Sequence, residues 1–283
     1  MSLFDLPQAK HFCASRSSVA GTSQSLPHFH AALPKSTHKL VEGTTEFQVH
    51  QANLIDSAER WIVFALAHYR RAFDMLVPVS APWAQVTLYY SSFFAANALL
   101  GMFGGWMGNV KATAWVIDVE RGVVGSQELK IVRGYKSPTG AKGSHRVFWD
   151  YFYAQASANI APWAPLPLLT ALDPVNSDTG WQIKERNDAN YDMYHAWAST
   201  QLFATTFQPA KLSSLSGPAA LQMEKTAQLI KLALHFANEY GLSGGALHGC
   251  GVTGTRAQLQ KRLVTKSVPQ LVTQSELPAL LVT

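Results

Sequence analysis

Between Trp83 and Phe103 the chain is apolar almost all the way round, interrupted by Gln85, Thr87, Ser91, Ser92 and Asn97. A helix with no polar face must be surrounded by other elements, so this segment reads as the central member of a helical bundle. The interruptions keep it from reading as a membrane span, and no other apolar run is long enough to cross one. Ser80 and Pro82 supply a start, and Gly104-Gly105 a stop.

The neighbours fit that frame. Ile62, Leu66, Tyr69, Phe73 and Leu76 recur at helical spacing, which predicts a helix over 47–77 with Pro78 as its end. Further helices are predicted near 82–103, 145–159, 180–206 and 217–240, the last with a stripe of Leu221, Leu229, Leu232 and Phe236 and a stop at Gly241. Ser144 is placed to cap the third. Residues 109–133 change character. Ala114–Val119 and Glu128–Val132 are rich in β-formers, with Arg121-Gly122 and Gly125-Ser126 between them, so a β-hairpin is expected to be inserted between helices. The fold class is therefore mainly α, an antiparallel helical bundle with one β-hairpin. Residues 1–45 read as an irregular arm, 46–241 as the bundle, and 242–283 as an extension with one short helix.

Composition narrows the rest. With 47% apolar and 14% charged residues, the 283-residue chain is globular. Eight Trp beside so little charge point to a surface buried against a partner, with a homodimer expected. Cys13 and Cys250 form no zinc spacing and no disulfide framework, and the first residues lack a signal-peptide pattern, so a reducing cytoplasm is expected. No phosphate-binding glycine loop, nucleophile elbow or carboxylate cluster occurs. Neither a metal nor another cofactor is expected.

The densest polar chemistry is Arg186-Asn187-Asp188-Ala189-Asn190-Tyr191, set on the predicted helix between Trp181, Ile183, Met193 and Trp197. It is either a buried hydrogen-bond network tying helices together or a phosphate-handling site. A second concentration lies in 106–146, where Lys111, Arg121, Lys130, Arg133, Lys136, Lys142 and Arg146 face only Asp118, Glu120 and Glu128. Four of the net five positive charges fall there, with Trp106, Trp115 and Tyr135 interleaved. Arg133, Lys136, Lys142 and Arg146 are the candidate nucleic-acid contacts, and an ordinary solvated hairpin is the alternative.

Tyr89-Tyr90-Ser91-Ser92-Phe93-Phe94-Ala95-Ala96-Asn97-Ala98-Leu99-Leu100 resembles the second helix of HEPN domains, the higher-eukaryote and prokaryote nucleotide-binding family. Gly143-Ser144-His145-Arg146 with Phe148 resembles the start of that family's third helix, and Arg186–Tyr191 resembles its Arg-x-x-Ala-Asp-Tyr segment with Asn190 in place of Asp. Order and spacing agree over about residues 55–240. The resemblance implies an antiparallel bundle, often dimeric. It also implies metal-independent RNA cleavage in defence or toxin–antitoxin systems, at a site where two Arg/His motifs meet between subunits.

The chain departs from the family's signature of an Arg followed four to six residues later by a His. Tyr191, Asp192 and Met193 fill that window, and His195 comes two residues late. Nine residues are about two and a half helical turns, which points Arg186 and His195 to nearly opposite faces.

Cleavage of RNA without a metal needs a base for the 2′-hydroxyl, an acid for the leaving oxygen and a cation for the phosphate. Arg186 suits the cation, His145 or His195 the proton transfers, and Asn187, Asn190 and Tyr191 hydrogen bonding. His145 could equally pack and donate to a carbonyl, and the Tyr89-Tyr90 pair reads as core. The rivals to an RNA-cleaving protein are a silent scaffold that dimerises and docks a partner protein, and a nucleotide-sensing subunit.

Overall fold

A computed structural model of the chain describes residues 2–16, 25–75, 80–192, 196 and 217–242. The protein is mainly helical with a small four-stranded antiparallel sheet. Helix α1 spans Leu6–Ala14, α2 Leu26–Ala32, α3 Thr45–Asp74, α4 Ala81–Met102, α5 Ser144–Gln155, α6 Trp181–Tyr191 and α7 Gly217–Glu239. Strands β1 (Lys39–Val41), β2 (Trp106–Val110), β3 (Thr113–Arg121) and β4 (Glu128–Arg133) pair in the order β1-β4-β3-β2.

Helix α4 is the central helix, packed against α3, α6 and α7. Small residues make that closeness feasible. Ala84, Ala95, Ala96 and Ala98 are fully buried, and a side chain at Gly101 would press on Leu54 and Ala58 of α3. Most of its buried polar groups are matched, Gln85 Oε1 being left without a partner. Ser91 Oγ donates to Ala65 O of α3 at 2.6 Å, Ser92 Oγ meets Thr226 Oγ1 of α7 at 2.7 Å, and Gln222 Nε2 donates to Gln85 O at 3.1 Å. Burying hydroxyls and amides is tolerable only with such partners.

Helix α3 starts where Thr44 Oγ1 accepts from Phe47 N and buries the predicted face of Ile62, Leu66 and Tyr69. Helix α7 buries Leu229, Leu232 and Phe236, while Leu221 is exposed and the buried hydrophobic face begins at Met223. Gly241 closes α7 in the left-handed region, at φ +67°. Helix α5 begins at Ser144 with Gly143 as its cap residue, so Ser144 is the first helical residue instead of the cap. Its continuation widens into a π turn over Ala156–Ile160. The predicted helix over 180–206 is seen as α6. Residues 193–195 and 197–206 of it lie outside the described residues, as does nearly all of the 242–283 extension.

Two expectations need correction. The first 45 residues are not irregular. They contain α1, closed by a capping box between Asp5 and Gln8, then α2 and β1. Residues 2–4 are stitched to the body by Phe4 N to Phe103 O (3.0 Å) and Val119 N to Ser2 O (2.9 Å), and the Phe4 ring lies so close to Gly104 that a side chain there would clash.

The β region is likewise more than a hairpin. The two expected strands do pair, Ile117 opposite Ile131 and Val119 opposite Leu129, but β2 and β1 extend the sheet on either side. The β2–β3 turn is Lys111-Ala112, with φ +49° and +62°. Such turns normally take Asn-Gly, and that is why this one carries no turn signal in the sequence. Among the described residues no helix is long and apolar enough to cross a membrane.

Candidate functional site

Helix α6 is fixed in rotation by its first turn. Trp181 Nε1 donates to Tyr153 Oη of α5 at 3.1 Å, and Gln182 Nε2 donates to the same oxygen at 3.3 Å. Gln182 and Ala189 are buried, and Arg186 lies between them at helical spacing. The helix therefore sets a guanidinium on its inward stripe, where an apolar side chain would normally pack.

That guanidinium lies over the ring of Tyr89 on α4, 5.4 Å from its centroid. Tyr89 is fully buried, yet its hydroxyl is a junction. Trp149 Nε1 on α5 approaches it at 3.4 Å as a donor, and His145 Nδ1 sits 2.7 Å away. The tyrosine oxygen has room to accept both the indole N–H and an N–H from His145 Nδ1, and in that tautomer Nε2 keeps a free lone pair. Burial pushes the Tyr89 hydroxyl up to about 12, so it stays protonated and able to donate. Burial, with the Arg186 charge beside it, holds His145 below the usual histidine range. At neutral pH the imidazole is uncharged and able to accept a proton.

The structure thus brings Arg186 and His145 together around a tyrosine. Arg186 is half-buried, and among the described residues no carboxylate lies in ion-pair distance of it. A half-buried cation stacked on an aromatic face but left without a counter-ion is suited to receive an anion. Asn187 and Asn190 are half-buried on the same helix, Asn190 one turn beyond Arg186, while Tyr191 is 75% exposed at the helix end. His195 lies outside the described residues. Asp188 pairs along the helix with Lys184 at 2.8 Å, so it is not part of the cluster.

The basic stretch divides in two. Lys136 and Lys142 are exposed. The other two cations are occupied. Arg133 stacks over Trp115 at 4.8 Å and donates to the carbonyls of Pro34 (3.2 Å), Lys35 (3.2 Å) and Thr37 (2.7 Å). Arg133, a candidate nucleic-acid contact in the sequence, is thus half-buried and spent internally, where it pins the loop after α2 to the sheet. Arg146 pairs with Asp178 at 3.2 Å and approaches Asp150 at 3.7 Å, crossing Gly180 where any side chain would collide with it.

Sequence reasoning passed over Asp150. Its buried carboxylate accepts from the hydroxyls of Ser137 at 2.7 Å, Thr139 and Thr179. Burial works to raise it, but those hydroxyls and Arg146 outweigh burial and hold it below the usual carboxylate range. Thr139 lies in the loop leading to α5 and Thr179 in the turn before α6, so Asp150 joins the two segments that deliver His145 and Arg186. One hint was available, since an acid among aromatic residues in Val147–Tyr153 demands partners.

Among the described residues no group of three or more His, Cys, Asp or Glu is placed to hold a metal ion. No known protein family, curated protein or solved structure matches the chain.

Proposed function

We propose that this protein binds RNA through its phosphates and cleaves the strand without a metal. The observation that carries this reading is the pairing of Arg186, which has no carboxylate partner among the described residues, with a neutral His145, the first over the Tyr89 ring and the second at its hydroxyl. Arg186 would neutralise the phosphate and the charge that grows on it as the 2′-oxygen attacks. His145 would take the 2′-hydroxyl proton. The 5′-oxygen would leave, and the product would end in a 2′,3′-cyclic phosphate. Lys136 and Lys142, exposed on the loop that runs into α5, would hold flanking phosphates without reading sequence.

One histidine covers one of the two proton transfers, which is the chemical reason for expecting a homodimer in which a second copy supplies the other. The HEPN-like segments support the same reading, including a place in a defence or toxin–antitoxin system.

The test is incubation of end-labelled RNA with purified protein in EDTA. Cyclic-phosphate ends are expected. Arg186→Ala and His145→Ala should each lower the rate by about 100-fold or more while circular dichroism stays unchanged. Full cleavage by folded Arg186→Ala would remove the assignment.

A silent scaffold that docks a partner protein is the second reading. The exposed Trp83 (57%) and Phe64 (47%) favour it. Stoichiometric RNA or protein binding with no turnover would establish it instead.

A further inference from the structure

His30 on α2 and His50 on α3 are both fully buried, with ring centroids 5.1 Å apart. Trp106 of β2 stacks on His30 at 4.8 Å, Trp115 of β3 lies 6.4 Å from it, and Phe29 stacks on His50 at 6.2 Å. None of the four ring nitrogens has a hydrogen-bond partner. A buried imidazole in that state is tolerable neutral and costly charged.

The charges around the pair all act against protonation. Arg133 of β4 faces His30, and each ring repels a proton on the other. Strand β2 carries no ionisable residue, Asp118 of β3 is held by Tyr151 Oη at 2.7 Å, and Glu46 of α3 and His28 of α2 are exposed. Among the described residues no carboxylate pairs with either ring. Burial, reinforced by Arg133, pushes His30 down to about 3, and burial with His30 beside it pushes His50 well below the usual histidine range.

We propose that the His30–His50 pair is an acid-sensitive latch: with both rings neutral it holds α2 against α3 and the sheet, and mild acid releases α2. Once released, each ring meets water and takes up a proton near its ordinary 6.5. Both folded values lie below the unfolded one, so the stabilisation is complete above pH 6.5 and is lost as pH falls. Two protons enter together, so the released fraction rises by up to about 100-fold per pH unit.

The loop beyond α2 stays anchored through the Arg133 bonds to the carbonyls of Pro34, Lys35 and Thr37, which carry no titrating group; the fourth Arg133 contact there, to His38 Nδ1 at 3.4 Å, is with a titratable ring. Glu42 and Asp150 lie below the usual carboxylate range and keep their charge until more acid conditions. Asp56 and Asp118, raised by burial, gain protons without cost to the fold. His145 is also lowered, but it sits on α5, away from α2. Release would uncover Trp106 and the aromatic floor beneath His30.

Hydrogen exchange from pH 7.5 to 5, corrected for intrinsic rates, tests the latch. The α2 amides, including Phe29 N bonded to Ser25 O, should open with a slope approaching two protons per pH unit below about 6.5 while α4 stays protected. His30→Leu with His50→Leu should keep α2 closed across the same range. Should that variant not fold, imidazole resonances of the unaltered protein decide, since two rings should appear protonated only as α2 opens. Flat α2 protection down to pH 5, or α2 and α4 opening together, would overturn the proposal.

Discussion

Tyr89 shows how one buried side chain can be both core and chemistry. Its ring fills the space between α4, α5 and α6 and carries Arg186, while its hydroxyl takes Trp149 and orients His145. Tyr89→Phe keeps the ring and removes the junction. The expected cost is about 1 to 2 kcal/mol in urea denaturation, because the Trp149 N–H and His145 Nδ1 lose their partner. RNA affinity should hold while the cleavage rate falls, since Arg186 keeps its platform and His145 loses its tautomer. A loss of affinity equal to the loss of rate would show that the tyrosine only positions Arg186. Arg186 was legible from the sequence as dense polarity on a helix, and His145 as the nearest histidine. Tyr89 was not, because a tyrosine in an apolar helix has the same signature whether or not its hydroxyl is used. The histidine at the late spacing, His195, is not needed to bring an Arg and a His together.

At the scale of elements, net charge misled where burial decided. Arg133 and Arg146 raise the basic count of 106–146 but serve internal contacts, and only contacts between distant segments reveal that. Arg133→Ala should cost about 2 to 3 kcal/mol in chemical denaturation and free the 34–37 loop. Lys136→Ala with Lys142→Ala should change stability by less than about 0.5 kcal/mol. The same pair should reduce the salt slope of RNA binding by about 1 to 1.5. An unchanged slope would place the RNA contact elsewhere.

Asp150 ties the loop before α5 to the turn before α6. Its folded value is lowered, so its stabilisation is present above 3.8 and fades as pH falls through that folded value. Asp150→Asn should therefore lose about 2 kcal/mol at pH 7 and show a flatter stability profile below pH 4. A profile identical to the parent's would mean the hydroxyls satisfy themselves with water. Helices α3 and α7 were legible by their long stripes, and α4 by an apolar run too long and too even for a surface helix. Strand β2 and the N-terminal elements were not, since a Lys-Ala turn, a three-residue strand and helices of seven and nine residues leave little periodic trace.

For the whole molecule, a homodimer remains our proposal, motivated by the two proton transfers and by exposed aromatic side chains such as Trp83. Light scattering at micromolar concentration should report about twice 31.0 kDa. A strictly monomeric solution that still cleaves RNA would mean that one chain carries both transfers.

The hydroxyl and amide contacts along α4 have a consequence for how this protein can transmit a signal. Ser91 and Ser92 face different neighbours, and Gln85 receives Gln222 further along the same helix. A slip by one turn, about 5.4 Å, would orphan all of them at once inside an apolar interior. The bundle therefore has no ratcheted second state, and sliding helices are closed to it as a route of communication. What reaches the Arg186–His145 site from elsewhere is then left to the loop before α5, the turn before α6 and the Tyr89 side chain itself.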